Sequence, residues 1–272
     1  MSSKPLHDNV SRVKTPSPAG RAVFIGLRAL DVWWQYRLLT RGWASQCIRQ
    51  LGGSSIPITQ ILNAASTTSP TSLTSLSPYY TLVTLLSLGS SIKQIGTMLF
   101  ISEQETPVAS AIAIAAFNTI FNSVNTLLSV WNLTSQIPTE TEVPLSPAEF
   151  ILLNPLLTLG GGFYILGILT ETISEIQRTL FKKDPENKGK PYGGGLFSLA
   201  TNINYGGYTV WRAAYALICG GIAPAVVTFS FFFWDFASRG VPVLEGYLLE
   251  RYGDAYKEIK ERVKYRLIPG IY

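Results

Sequence analysis

Three long apolar stretches set the limits on what this chain can become. Residues 79–101, 107–131 and 150–173 each approach or exceed the ~20 residues that a helix needs to cross a bilayer's hydrocarbon core. Composition agrees with them. Only 14% of the 272 residues are charged and 47% are hydrophobic, whereas soluble domains carry about 25% charged residues. The mean hydropathy is +0.22. The chain is therefore expected to be an all-α, polytopic integral membrane bundle embedded in a lipid bilayer.

The flanks refine that expectation. Residues 1–20 form a polar tail rich in Ser and Pro, expected to be disordered, with no apolar run of the kind found in a signal peptide. Residues 21–50 mix apolar side chains with Arg28, Asp31 and Arg37, and carry Trp33, Trp34 and Trp43. They read as an amphipathic helix at the membrane surface in preference to a tilted spanning helix. The stretch 52–78 is rich in Ser, Thr and Pro and is read as a loop with one short helix near 57–65. This divides the chain into a tail (1–20), an interfacial region (21–78), membrane helices (79–149) and a C-terminal region (150–272).

Within the second apolar stretch, Asn118, Asn122 and Asn125 share one helical face. They predict an interhelical hydrogen-bond seam, or else a polar wall against a substrate. Residues 205–237 hold two shorter apolar runs joined near Gly220, Gly221 and Pro224, which predicts a helical hairpin. Arg212 and Asp235 lie in those runs and need each other or a cofactor as partner. The segment from Pro242 to Val263 is an amphipathic tail expected on the membrane surface. Loop 132–149 has Glu140, Glu142 and Glu149 without Lys or Arg, whereas loop 174–204 carries Arg178, Lys182, Lys183, Lys188 and Lys190. The positive-inside rule then puts loop 174–204 and the C-terminus in the cytosol. A glycosylation triplet at Asn132 would lie on the other side.

Several chemistries are excluded early. His7 is the only histidine and sits in the polar tail, so a His-based triad, an HExxH zinc site or a His-ligated iron centre is not expected. Cys47 and Cys219 fit no zinc or redox spacing. No basic stripe points to nucleic acid. Acid–base work falls to Tyr, Glu, Asp, Lys or water.

The stretch from Glu171 to Tyr208 gathers the remaining chemistry. Glu171 and Glu175 are one helical turn apart, with Lys182 two turns on. They read either as a solvated helix end with ordinary lysines, or as carboxylates for ribose or carboxamide groups with Lys182, Lys188 and Lys190 meeting phosphates. Gly193, Gly194 and Gly195 allow close backbone approach to a ligand, or simply a flexible turn. Asn204 is either a helix N-cap or an amide offered to a cofactor, with Tyr205 beside it as a phenol or stacking ring.

FKKDPENKGK, followed by GGLF and NY, with the terminal YRLIPGIY, resembles the C-terminal half of the steroid 5-alpha-reductase-like (DUF1295) membrane family. That half is similar to sterol C14 and C24(28) reductases and more distantly to isoprenylcysteine carboxyl methyltransferases. The resemblance covers roughly residues 150–272. It implies NADPH as cofactor, with Glu171, Glu175, Lys182, Lys190, Asn204, Tyr205, Tyr265 and Arg266 binding it, and Lys188 is expected beside them as a further cation for its phosphates. It also implies the endoplasmic reticulum as location, and in this chain a phenol, Tyr205 or Tyr208, is expected to polarise the substrate carbonyl or deliver the proton. Relatives often read Arg-His-Pro where this chain has Thr201-Asn202-Ile203, and a Glu where it has Tyr208. The expected activity is reduction of a C=C bond in a sterol, enone lipid or terpenoid. The alternatives are an S-adenosylmethionine-dependent methyltransferase of a hydrophobic substrate, or a non-catalytic scaffold. No metal is expected.

Overall fold

The computed structural model describes residues 13–63, 75–137, 152 and 154–272. The polar tail before Val13, the acidic residues Glu140, Glu142 and Glu149, and residues 64–74 of the Ser/Thr-rich stretch lie outside them. Among the described residues the structure is all-α: no strand occurs, only isolated bridges such as Ala200–Tyr265.

The helices are α1 (Pro18–Thr40), α2 (Trp43–Gln50), α3 (Ile58–Ile61), α4 (Pro78–Gly96), α5 (Val108–Val130), α6 (Pro155–Lys183), α7 (Ile203–Gly220), α8 (Ile222–Asp235), α9 (Val241–Tyr252) and α10 (Asp254–Arg262). Proline opens α1, α4 and α6, where its missing N–H forfeits no hydrogen bond and its fixed φ suits the first turn. Gly42, at φ 67°, divides α1 from α2, so residues 21–50 are two helices rather than one. Gly221 (φ 78°) makes the turn of the expected α7–α8 hairpin, and Gly253 (φ 54°) splits the amphipathic tail into α9 and α10. Each is a left-handed position that favours glycine.

Among the described residues, three helices are long and apolar enough to cross a membrane: Pro78–Ile101, which is α4 plus a π-turn, Val108–Val130 and Pro155–Lys183. Only 33%, 33% and 22% of their apolar windows are buried inside the protein. The remainder is hydrocarbon surface of an extent that water does not tolerate and lipid does. The protein is a membrane helical bundle.

The chain forms two compact units. One comprises Thr15–Gly162 and Ala214–Ala225; the other is chiefly Phe163–Ala213 and Val226–Tyr272. In the first, α1 packs against α4 and α5. Gly20 allows this approach, because a Cβ there would fall 1.7 Å from the Thr106 carbonyl oxygen. Phe24 packs on Ala111 and Ala115. Arg21 donates to the carbonyls of Met98 and Ser102 at the end of the α4 π-turn, at 2.9 and 2.6 Å.

The charges of α1 turn inward. Arg28 and Asp31 are 0% and 2% exposed and pair at 2.8 Å. Asp31 also accepts from Gln35 (2.8 Å) and Asn122 (2.7 Å), and Thr126 donates to Gln35 Oε1 (2.7 Å). Gln94 of α4 donates to Asn118 at 2.7 Å. The Asn face of α5 is thus an interhelical seam, as its spacing predicts. A buried ion pair gains little net stability when complete, but losing one partner is expensive.

Candidate functional site

The candidate site lies in the second unit, where α6 and α7 run antiparallel at unusually close range. Gly167 and Gly207 make that possible. A Cβ at Gly167 would sit 2.6 Å from Trp211 N and 2.7 Å from Gly207 O; one at Gly207 would sit 2.7 Å from Glu171 N. Backbone meets backbone, so side chains one turn away reach the opposite helix directly.

Two carboxylates are held this way. Glu171 Oε2 accepts from the Trp211 indole Nε1 at 2.8 Å. Glu175 Oε1 accepts from Asn204 Nδ2 at 2.7 Å, while its other oxygen pairs with Arg178. The sequence brought Glu171, Glu175 and Asn204 forward, but not Trp211. Its signal is spacing: Asn204, Tyr208 and Trp211 stand at i, i+4 and i+7, one face of α7 opposing the i, i+4 pair of α6.

Asn204 is not the helix cap. α7 starts at Ile203, and the Asn202 carbonyl accepts from Tyr205 N (3.0 Å) and Gly206 N (3.3 Å). The Asn204 amide is free of that local duty and turns to Glu175. Its Oδ1 is buried with no hydrogen-bond partner among the described residues, as are Asn202 Oδ1 and Thr172 Oγ1. Buried acceptors of this kind are rare and invite a donor.

Aromatic rings and a cation stand beside the carboxylates. Tyr205 stacks on Phe236 (4.6 Å, 7°), and Tyr208 meets Trp211 and Phe232 edge to face at 5.1 and 5.2 Å. Arg212, 1% exposed, lies 4.4 Å from the Trp211 ring and donates from Nε to the Tyr208 hydroxyl at 3.0 Å. Asp235, expected as a partner for Arg212, instead pairs with Arg239 one turn along, at 2.7 and 2.5 Å. Each charge thus has a partner on its own helix, Tyr208 at i−4 for Arg212 and Arg239 at i+4 for Asp235.

The glycine run serves the protein's own packing. A Cβ at Gly193 would strike Ile259 at 2.7 Å, and Gly195 (φ 52°) lies against Gln177 Oε1. That oxygen accepts from Leu196 N at 2.9 Å. Gln177 was not singled out by the sequence, since nothing local marks a side chain that holds a loop 19 residues away. Of the lysines, Lys182 is fixed by the Tyr252 hydroxyl at 3.0 Å. Lys188 and Lys190 are exposed and are not brought to the carboxylates by any contact described.

The C-terminal motif meets the start of α7. Thr201 N donates to Tyr265 O (3.0 Å) and Asn202 N to Arg266 O (2.8 Å). Gly206 makes room, since a Cβ there would lie 2.2 Å from Leu267 O. Tyr265 packs with Phe197, Ala200 and Ile203. The Arg266 guanidinium points instead toward Glu245, at 3.8 Å, and Lys260 reaches Glu245 at 2.8 Å. Glu245, 7% exposed, escaped notice in the sequence because α9 looks like an ordinary amphipathic surface helix. Burial, and next the Glu245 charge, push the Tyr256 hydroxyl up to about 12.

Comparison with known proteins bears on this region. Residues 108–263 match the family described as "Protein of unknown function (DUF1295)". A curated relative, "Probable O-methyltransferase ustE" of Ustilaginoidea virens, is 35% identical over 238 residues, covering 88% of this chain and 81% of the relative. No solved structure matches the chain.

Proposed function

From the premise that this chain belongs to the DUF1295 family, we propose that it is a membrane-embedded, S-adenosylmethionine-dependent methyltransferase acting on an oxygen of a hydrophobic substrate. The similarity to a protein named as a probable O-methyltransferase, sustained across 88% of the chain, carries this reading. It reverses the order of expectation from the sequence, where reduction with NADPH stood first.

The site residues suit such a cofactor. A bound S-adenosylmethionine supplies an electrophilic methyl group on a sulfonium centre. Glu171 and Glu175 offer negative charge, and the faces of Tyr205, Tyr208 and Trp211 offer π-density, both favourable to a cation. Asn204 Oδ1 is a buried acceptor for an amine or hydroxyl. Arg212 contributes a cation suited to a carboxylate. Trp211 and Asn204 hold the two carboxylates in place. Tyr208 is the chain's own candidate to take the proton of a substrate hydroxyl, because Arg212 Nε sets positive charge against its oxygen.

A second reading, NADPH-dependent reduction, is favoured by one observation. The YRLIPGIY ending, similar to that of sterol reductases, bonds directly to Thr201 and Asn202, two residues before Asn204. Location in the endoplasmic reticulum with loop 174–204 cytosolic accompanies either activity.

The test is a thermal titration of the full chain in detergent with S-adenosylmethionine and, separately, with NADPH. A specific ligand at 100 times its dissociation constant stabilises a fold by about 2.7 kcal/mol. Stabilisation by the methyl donor, lost in Asn204→Ala, is the expected result. Stabilisation by NADPH alone overturns the methyltransferase reading in favour of the second.

A further inference from the structure

Ala29, Trp33 and Arg37 follow one another at four-residue intervals along α1, and Arg41 at its C-cap continues the stripe. Residues so spaced share one helical face. Ala29 and Trp33 line a groove of about 430 Å³ between α1 and α4, with Leu88, Ile92 and Ile95 on the opposite wall. The volume falls within the range of about 300–1,000 Å³ usual for small-molecule sites. The hydroxyls at the groove are bonded within the protein: Thr84 donates to Tyr80 O at 2.9 Å, Tyr36 is bonded to Ser75 at 3.1 Å, and Ser91 accepts from the buried Arg28 at 2.9 Å. What the groove offers is hydrocarbon. It follows α4 from Thr84 to Ile95, about 16 Å at 1.5 Å per residue. That is close to one leaflet of a hydrocarbon core about 30 Å thick.

The other end of the stripe is cationic. Tyr36 reaches Ser75, three residues before α4 opens at Pro78, so Arg37 stands near the level at which the Pro78–Ile101 span begins. Trp33 is 49% exposed, as suits an indole at the headgroup region. The Arg37 guanidinium lies over its ring, 5.4 Å from the centroid, and Arg41 is exposed one turn further on. Among the described residues, neither guanidinium has an ion pair or a hydrogen bond, and the Trp33 indole N–H has no acceptor. The other arginines of this unit are tied down: Arg21 to the carbonyls of Met98 and Ser102, Arg28 to Asp31, and Arg49 to Ser55. Two planar donor forks at a membrane boundary match the oxygens of a phosphate, which guanidinium binds in bidentate fashion.

We propose that this face binds one anionic phospholipid, with an acyl chain in the α1–α4 groove and its phosphate on Arg37 and Arg41. The Trp33 indole N–H is a further donor beside them. Charge complementarity selects this occupant. A neutral acyl compound would fill the groove and leave two cations unmatched, whereas a soluble anion would leave the apolar walls uncovered. A zwitterionic headgroup brings its own cation toward the arginines and is the weaker fit. The inference stands on α1 and α4 alone and does not depend on the methyltransferase reading.

Native mass spectrometry of the full chain in detergent, titrated with phosphatidylglycerol or phosphatidylcholine, counts the lipid retained. One phosphatidylglycerol per chain should be held in preference to phosphatidylcholine, and added salt should weaken it. Arg37→Gln and Arg41→Gln should each lower its affinity about tenfold, the size of one charged hydrogen bond. Arg49→Gln, on α2, should leave it unchanged. Phosphatidylglycerol with a photoactivatable diazirine on its acyl chain should label residues within 29–36 and 84–95. Ala29→Trp, which fills the groove from its exposed side, should abolish that labelling. Equal retention of the two lipids, or undiminished retention in both arginine variants, means ordinary surrounding lipid and overturns the proposal. Labelling elsewhere, or labelling that survives Ala29→Trp, overturns the groove as the site. If a variant does not fold, the comparison of the two lipids and the label map on the native chain still decide.

Discussion

Replacing Gly206 with alanine tests how tightly the C-terminal motif is fastened to the start of α7. The new Cβ would sit 2.2 Å from Leu267 O, 3.1 Å from Leu267 C and 3.3 Å from Ile268 Cγ1. Side-chain carbons do not come within 3.0 Å of such atoms, so the Leu267 carbonyl has to retreat by about 1 Å, typical of overpacking that costs about 1–3 kcal/mol. The backbone cannot move alone. Leu267 follows directly on Tyr265 and Arg266, whose carbonyls accept from Thr201 N and Asn202 N at 3.0 and 2.8 Å. Stretching both bonds forfeits about 1 kcal/mol each, while alanine's better helix propensity returns up to about 1 kcal/mol. The net loss is about 2–4 kcal/mol. Gly246→Ala is the matched control: it lies inside α9 with nothing within 4 Å of an added Cβ, and should stabilise by about 0.5–1 kcal/mol. Chemical unfolding in detergent reads both variants, and limited proteolysis reads release of residues 264–272. A Gly206→Ala protein as stable as the native chain, with its tail still protected, refutes the close fit.

Other substitutions probe other parts. Asp31→Asn leaves the Arg28 charge buried and should cost about 3–5 kcal/mol in the same unfolding assay; a loss under about 1 kcal/mol would show that the network does not hold α1 in place. Tyr256→Phe removes a hydroxyl buried without a hydrogen-bond partner among the described residues, so stability at neutral pH should hold or rise by up to about 1 kcal/mol. The same change should blunt alkaline unfolding. Burial pushes the Tyr256 hydroxyl up to about 12 in the fold against about 10 unfolded, so its titration costs the fold nothing below pH 10 and destabilises it progressively as pH climbs toward 12. Unchanged unfolding between pH 10 and 12 in Tyr256→Phe would contradict this. Trp211→Phe deprives Glu171 of its indole donor and should weaken S-adenosylmethionine in the thermal titration more than it lowers the melting temperature of the free protein. Equal loss in both would make the bond purely structural.

How far the sequence could be read depended on whether the cause was local. Apolar length is local, and 79–101 and 107–131 became Pro78–Ile101 and Val108–Val130. The third helix runs to Lys183, ten residues beyond its apolar stretch, because a helix already propagating can continue through SEIQRTLFKK without needing lipid. Helical period made the Asn118–Asn125 seam visible. Partner choice is not periodic. Arg212 and Asp235 looked made for each other, yet Tyr208 and Arg239 were nearer along their own helices. The inward turn of Arg28 and Asp31 was hidden for the same reason: α1 alone looks like a surface helix, and only α4 and α5 make its charged stripe an interior. In the site, Glu171, Glu175 and Asn204 were recognisable by spacing and motif. Trp211, Gln177 and Glu245 matter through bonds to residues 15 to 40 positions away, which no short pattern records.

The Gly167–Gly207 contact has a mechanical consequence. With backbones touching there, α6 and α7 cannot slide or draw closer, and the contact acts as a fulcrum about which α7 can only rock. The Glu171–Trp211 bond sits at that fulcrum and the Glu175–Asn204 bond one turn out along the lever. A tilt of α7 about that point would displace Asn204 and Tyr205 more than Trp211, and the bonds from Thr201 and Asn202 to the C-terminal motif oppose it. Any ligand that engages Asn204 therefore meets a helix end clamped from two directions, by Glu175 of α6 and by the Tyr265 and Arg266 carbonyls that hold Thr201 and Asn202.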